Sequence, residues 1–203
     1  MAATVYFARH GETDFSREDR FCGDTDAPLN ARGRAMAEAL AEHYAGVAWA
    51  GLYASPMQRA LDTVAPLAAR VKLPVVQLAG LREISYGSWE GRSEKELRGT
   101  PAFDAWAADP AKNAPPGGET ALSIAARANT ALADLRAAHP DGNVLVVSHK
   151  ATIRILVCVL LGVDLARFRD RIGMPEASVT QVEFRGARGP LLVRLGDTAH
   201  LTR

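Results

Sequence analysis

The chain has 203 residues, 48% of them hydrophobic and 23% charged, which is enough to bury a full core and falls within the size range of one α/β domain. Its formal net charge is +1, with no long block of either sign, which argues against a nucleic-acid surface or a polybasic membrane segment and favours a small soluble partner. In chain order, Thr4 to Ala8 reads as a buried strand, and after a polar loop Asn30 is placed to cap a helix running to about Ala45. A short strand at Gly51 to Ala54 leads into Ser55-Pro56, the pattern of an N-cap followed by proline at the first helical position, and this predicts a helix to about Val71.

Pro74 to Leu78 is expected to be a third strand. From Ala79 to Gly118 the chain is rich in glycine, proline and aromatic residues, with short helical pieces at Ser93 to Arg98 and Phe103 to Ala108. Residues 84–118 therefore read as a lid-like segment of a single domain spanning 1–203. Gly117 to Thr120 opens a long alanine-rich helix to about His139, Asp141-Gly142 turns the chain, and NVLVVS forms the most apolar strand, expected at the centre of the sheet. A very apolar helix from Ala151 to Gly162 follows. VTQVEF and LLVRL, separated by a Gly-Pro turn, then suggest an antiparallel pair at a sheet edge. The alternation predicts right-handed crossovers in a mostly parallel sheet covered on both faces, with ligands at the carboxyl ends of its strands. Arg9, Ser55 and His149 each follow such a strand.

No apolar run reaches the roughly 18 residues that cross a bilayer, and the first apolar stretch is one strand long, so neither a membrane span nor a signal peptide is expected. Cys22 and Cys158 are too few for a disulfide framework and lack metal-ligand spacing, which fits a cytoplasmic location.

The triplet Arg9-His10-Gly11 is a weak signal alone, because a loop histidine usually faces solvent. Its chemistry is suggestive: a guanidinium fork for phosphate oxygens, a nucleophilic ring nitrogen when neutral, and a glycine that lets the backbone approach closely. Arg59, one turn after the expected cap, equally suits a surface position on an amphipathic helix. Glu83 lies between an apolar residue and an aromatic, glycine-rich turn, where partial desolvation would let its carboxyl carry a proton to a leaving alcohol. His149 emerges from the central strand either as a ligand or as a satisfied core residue, with Lys150 beside it. Together, at one sheet edge, the four pieces suit phosphoryl transfer. A metal site built on His10, Glu12 and His149 ranks lower, since none of the five histidines falls in a His-x-His or His-Glu-x-x-His arrangement. Glu12 is assigned to ordering its loop.

In this order, RHGET, SPMQRALDT, LREISYGSWEG, PPGGET and VVSHK resemble the histidine phosphatase superfamily, also called the phosphoglycerate mutase-like family. GDTDAPLNARGRAMAEAL and GDTAHL extend the resemblance over nearly the whole chain. It implies a three-layer α/β/α sandwich, a mostly parallel central sheet with an antiparallel edge, and a phosphohistidine intermediate formed without a metal or other cofactor. Matched position by position, His10 is the nucleophile, Arg9 and Arg59 bind phosphate, His149 is the second histidine, and Glu83 is the proton donor. His10 must be neutral to attack, which the arginines favour, whereas His149 is expected to be protonated and to stabilise the equatorial oxygens.

Phe15-Ser16 replaces the Trp-Asn common in the family, so Ser16 is expected to supply only part of that phosphate contact. Lys150 stands where many members carry glycine. It would bind a second anionic group or face solvent, and solvent is the preferred reading. Ser16, Arg20, Cys22, Gly23, Tyr86 and Lys150 are the candidates for substrate contact, with the segment from Ala102 to Gly118 shaping the pocket mouth. The short stretch after Glu83 and the PPGGE sequence favour a phosphatase of small phosphate esters such as sugar phosphates, phosphoglycerates or α-ribazole phosphate. A phosphoglycerate mutase, primed by 2,3-bisphosphoglycerate, is the alternative, followed by an inactive phosphate-binding module. The C-terminal edge strands offer a surface for a homodimer.

Overall fold

The computed structural model describes residues 2–201. Six strands form one sheet: β1 (Ala3–Arg9), β2 (Trp49–Ala54), β3 (Val75–Gln77), β4 (Gly142–Ser148), β5 (Val179–Phe184) and β6 (Pro190–Asp197), in the order β3-β2-β4-β1-β5-β6. β3, β2, β4 and β1 pair in parallel, whereas β5 runs antiparallel to both β1 and β6. The expected central strand and antiparallel edge are both present. The helices are α1 (Asp14–Arg17), α2 (Ala31–Tyr44), α3 (Gln58–Val71), α4 (Glu94–Leu97), α5 (Pro101–Ala108), α6 (Ala121–Ala138), α7 (Lys150–Leu161) and α8 (Phe168–Arg171). None of them is long and apolar enough to cross a membrane.

Alternation along the two middle strands divides the core. Val5, Phe7, Val144 and Val146 pack with α6 and α7 on one face, while Ala8, Leu145 and Val147 pack with α2 and α3 on the other. Each fully buried Val, Leu or Phe side chain contributes about 1.5–3 kcal/mol, so both faces of these strands hold the layers together. The helix starts at α2 and α6 follow the sequence signals: Asn30 Oδ1 accepts from Gly33 N at 2.8 Å, and Thr120 Oγ1 accepts from Ser123 N at 3.1 Å.

At α3 the expectation fails. The helix begins at Gln58, with Met57 in the cap position and no cap from its own side chain. The Asp26 carboxylate supplies the cap from another loop, accepting from Gln58 N at 3.0 and 2.9 Å. Ser55 is turned inward and wholly buried. The lid-like segment carries its own small core, in which Trp89, Leu97, Phe103 and Trp106 pack together with Phe21 and Tyr86 at the margin.

Candidate active site

Parallel pairing sets Arg9 opposite Ser148, so His10 and His149, the next residues of β1 and β4, leave the sheet side by side with ring centroids 5.2 Å apart. His10 N donates to Ser148 O at 3.0 Å, and His10 Nδ1 lies 2.8 Å from Gly11 O. A carbonyl only accepts, so Nδ1 carries the hydrogen and Nε2 keeps its lone pair. Burial, then Arg59, then Arg9 hold the pKa of His10 well below the ordinary 6.5. The ring is therefore neutral, with the lone pair on Nε2.

The loop after His10 is held from two sides. Gly11 N donates to Thr63 Oγ1 at 3.0 Å, and a Cβ on Gly11 would collide with the Gly33 carbonyl, so only glycine fits. Glu12 is buried and accepts from Asn30 Nδ2 at 2.9 Å, which ties the loop to the start of α2 as expected. Arg9 donates to Met174 O at 2.7 Å and pairs with Glu176 at 2.9 Å, while its buried Nε has no partner among the described residues.

Arg59 points inward from the first turn of α3. Its Nε donates to His149 Nδ1 at 3.2 Å, Nη1 to Thr25 O at 2.8 Å, and Nη2 to Gly23 O at 3.0 Å. Because Arg59 Nε can only donate, His149 Nδ1 is the acceptor, and Nε2 donates to Ser55 Oγ at 2.8 Å. Burial, Arg59 and His10 push the pKa of His149 well below 6.5. This corrects the expected protonated state: in this structure His149 is neutral.

Glu83 is buried at the N-terminus of α7. Its Oε1 accepts from Ile84 N at 3.0 Å and from Thr152 N at 3.1 Å, its Oε2 accepts from Ala151 N at 3.1 Å, and the Thr152 hydroxyl beside it donates to Arg82 O at 2.7 Å. Arg127 Nη2 donates to the Glu83 carbonyl at 2.9 Å and to Glu119 at 3.1 Å, and Glu119 accepts from Ser85 N at 3.0 Å. The glutamate of PPGGET thus helps to fix the loop that carries Glu83.

Arg9, His10 and Glu83 line one cavity of about 420 Å³. Ser16, Arg20, Cys22, Tyr86 and Lys150 share its wall. Lys150, for which solvent was the preferred reading, is half-buried at the start of α7 and lines the cavity. Ser16 is partly engaged, since its Oγ accepts from Thr13 N at 3.0 Å in the cap of α1. Burial raises the pKa of the Cys22 thiol and pushes that of the Tyr86 hydroxyl far up, so both stay protonated.

Arg59 and His149 are buried beside His10 and do not line that cavity, which places them as a floor beneath the His10 ring whose positive charge is that of Arg59. Gly23 is also absent from the wall. Its N–H donates to the Glu90 carboxylate at 2.9 and 3.0 Å, and an added Cβ would collide with the Ile84 carbonyl.

Ser55, expected only at a ligand-binding strand end, is bonded to His149, and three contributors escaped the sequence reading: Thr63 beneath Gly11, Arg127 against Glu119, and Glu90. Glu90 also accepts from Asp24 N at 3.1 Å, Thr25 N at 3.2 Å and Tyr86 N at 3.1 Å, so it holds the loop whose carbonyls receive Arg59. The acidic residue in GSWEG was the available signal. Among the described residues, no three His, Cys, Asp or Glu side chains gather to hold a metal ion.

A neutral histidine of fixed tautomer, backed by two guanidinium groups at the carboxyl edge of a parallel sheet and facing a carboxyl across the cavity, defines a phosphoryl-transfer enzyme. The chain belongs to the histidine phosphatase superfamily (branch 1), whose profile matches residues 5–198, and its enzyme class is phosphoric monoester hydrolase. It is 31% identical over 199 residues to phosphoserine phosphatase 1 of Hydrogenobacter thermophilus, covering 97% of this chain and 93% of that protein. It is 33% identical over 198 residues to glucosyl-3-phosphoglycerate phosphatase of Mycobacterium tuberculosis, covering 93% and 88%. Among solved structures, Bacillus stearothermophilus YhfR superposes with a TM-score of 0.90 at 32% identity, covering 98% of this chain and all of that one.

Proposed function

We propose that this chain hydrolyses small phosphate monoesters in two in-line displacements through phospho-His10, without a metal or other cofactor. The observation that carries the reading is the Nδ1 bond of His10 to Gly11 O, which leaves Nε2 free to attack while Arg9 and Arg59 keep the ring neutral. In the first displacement Nε2 bonds to phosphorus, the ester P–O bond breaks, and protonated Glu83 gives its proton to the departing alkoxide. In the second, the Glu83 carboxylate takes a proton from water as its oxygen attacks phosphorus, the N–P bond breaks, and phosphate leaves with His10 restored. Arg9 and the Arg59–His149 floor offset charge on the equatorial oxygens.

Names of relatives support the substrate class: phosphoserine and glucosyl-3-phosphoglycerate are both small phosphorylated metabolites. Free Cys22 and Cys158 suit a cytoplasmic location, and the outer edge of β6, with Leu191, Val193 and Leu195 exposed, suits pairing with a second copy.

The test is release of phosphate from p-nitrophenyl phosphate in excess chelator, with the phosphoenzyme trapped and mapped. Label on His10, lost in His10→Ala together with turnover, is the expected result. Chelator-killed activity or an active His10→Ala variant would overturn the reading. Transfer of the label to an added alcohol in place of water would identify the mutase.

A further inference from the structure

We propose that Lys150 and Arg154 form a second anion subsite in the cavity, selecting phosphate esters that carry a carboxylate or a second phosphate at their far end. The proposal rests on the phosphatase reading for its catalytic consequence and on the following geometry for the binding itself. The two residues stand four apart on α7, so their side chains lie on one helical face, and both line the cavity that His10 and Glu83 open into.

Every other cation on that wall already has an anionic partner. Arg9 pairs with Glu176 at 2.9 Å, Arg20 with Glu18 at 2.9 Å, and Arg169 with Glu94 at 2.8 Å while its guanidinium lies over the Trp106 ring. Lys150 and Arg154 have neither an ion pair nor a hydrogen-bond acceptor among the described residues, and Arg154 Nε is fully shielded from solvent.

Leaving two cations half-buried and unpaired is costly, and the structure registers the cost. Burial first, and then Arg9, lower the pKa of both groups, and Arg154 adds to the effect at Lys150. The acidic groups facing them do not compensate. Asp19 and Glu176 act less on Lys150 than Arg9 and Arg154 do, and Glu83 acts less on Arg154 than Arg9 does. Glu83 is already taken up by three backbone donors and Glu176 by Arg9.

A ligand group that relieves this arrangement must be an anion. The scissile phosphoryl group belongs at His10, with Arg9 and the Arg59 floor around it, so the anion at Lys150 and Arg154 is a separate group on the same substrate. A planar guanidinium beside a mobile ammonium suits a carboxylate, which takes the fork bidentately, and suits a phosphate equally.

The experiment compares kcat/KM for esters with similar alkyl leaving groups: glycerol 3-phosphate, which has no second anion, against 3-phosphoglycerate for the carboxylate and fructose 1,6-bisphosphate for a second phosphate. The wild-type chain should favour at least one anionic ester by about ten- to a hundredfold, the range expected for one or two charge-assisted hydrogen bonds. Lys150→Gln, Arg154→Gln and the double variant should bring that ratio stepwise toward one, and Lys150→Arg should keep it. Which anionic ester carries the preference tells carboxylate from phosphate.

A wild-type ratio near one, or a ratio unchanged in the double variant, would overturn the subsite. If no ester at all is hydrolysed, the phosphatase reading fails by itself. The subsite is then decided by calorimetric binding of the same intact esters to His10→Ala, with and without the double substitution, where equal affinity for all esters refutes it. Circular dichroism on each variant checks that α7 is intact.

Discussion

Acidification should weaken the fold through the same two histidines that equip the site. His10 and His149 are buried, and their pKa values in the folded chain lie well below 6.5, whereas in the unfolded chain both titrate near that value. Above pH 6.5 neither state binds these protons and the pair has no effect on stability. As the pH falls through 6.5 the unfolded chain takes up two protons that the folded chain refuses, so stability is lost, and the loss continues until the depressed folded-state values are reached. Two protons correspond to a limiting slope of about 3 kcal/mol per pH unit for as long as both rings stay neutral in the folded chain. Over one pH unit that is a large share of the roughly 5–15 kcal/mol that keeps an ordinary domain folded. His200, also lowered chiefly by burial and then by His43, acts in the same direction.

Urea unfolding at half-unit steps from about pH 7 to about pH 5 measures the slope directly. In His10→Gln one of the two protons disappears, and the slope should fall by about half of the pair's contribution. Stability that stays flat across this range, or an equal slope in the variant, would refute the account. Added inorganic phosphate should raise stability across the whole range, because it binds the folded site and not the unfolded chain.

Glu83→Gln should slow hydrolysis of alkyl phosphates by about 10²–10⁴-fold but that of p-nitrophenyl phosphate far less, since only a poor leaving group needs the proton; equal losses in steady-state assays would make Glu83 structural. Glu90→Ala leaves the amides of Gly23, Asp24, Thr25 and Tyr86 without their acceptor and should cost about 2–4 kcal/mol in urea unfolding. It should also lower kcat through the loosened Arg59 platform, and a loss of under about 0.5 kcal/mol would contradict the clamp. Ser55→Ala removes the acceptor from buried His149 Nε2 and should destabilise by about 1–3 kcal/mol. Proton NMR of the ring should then show a changed tautomer balance, and an unaltered ring spectrum would count against the assigned tautomer.

The architecture was legible because hydrophobic alternation and cap residues are local. NVLVVS is apolar on both faces because β4 is covered by helices on both sides, and Asn30 and Thr120 announce their helices within three residues. Ser55-Pro56 misled because the real cap of α3 comes from Asp26, far away in sequence. The chemistry-bearing residues were visible as types, but the protonation of His149 depends on Arg59 approaching its Nδ1, a contact between residues on separate elements. Lys150 was assigned to solvent because the side of a helix that lines a cavity is set by residues far away in sequence, here Arg9, Glu83 and Trp106 on the same wall. Glu90 was silent for a similar reason: most of its partners are backbone amides of a loop well away in sequence, and amides leave no residue-type signature.

The aromatic core of the lid has a consequence for how the domain can open. Trp89, Leu97, Phe103 and Trp106 bury one another apart from the two clusters that flank the sheet, and Tyr86 is the side chain that packs against both the lid cluster and the α6–α7 side of the core. A patch with its own interior can detach and reclose as one cooperative unit while the sheet stays intact. Hydrogen exchange should therefore release the amides of α4 and α5 together, at a lower opening free energy than those of β1 and β4. Replacing this unit with one of different shape would change what enters the cavity without disturbing the strands that deliver His10 and His149.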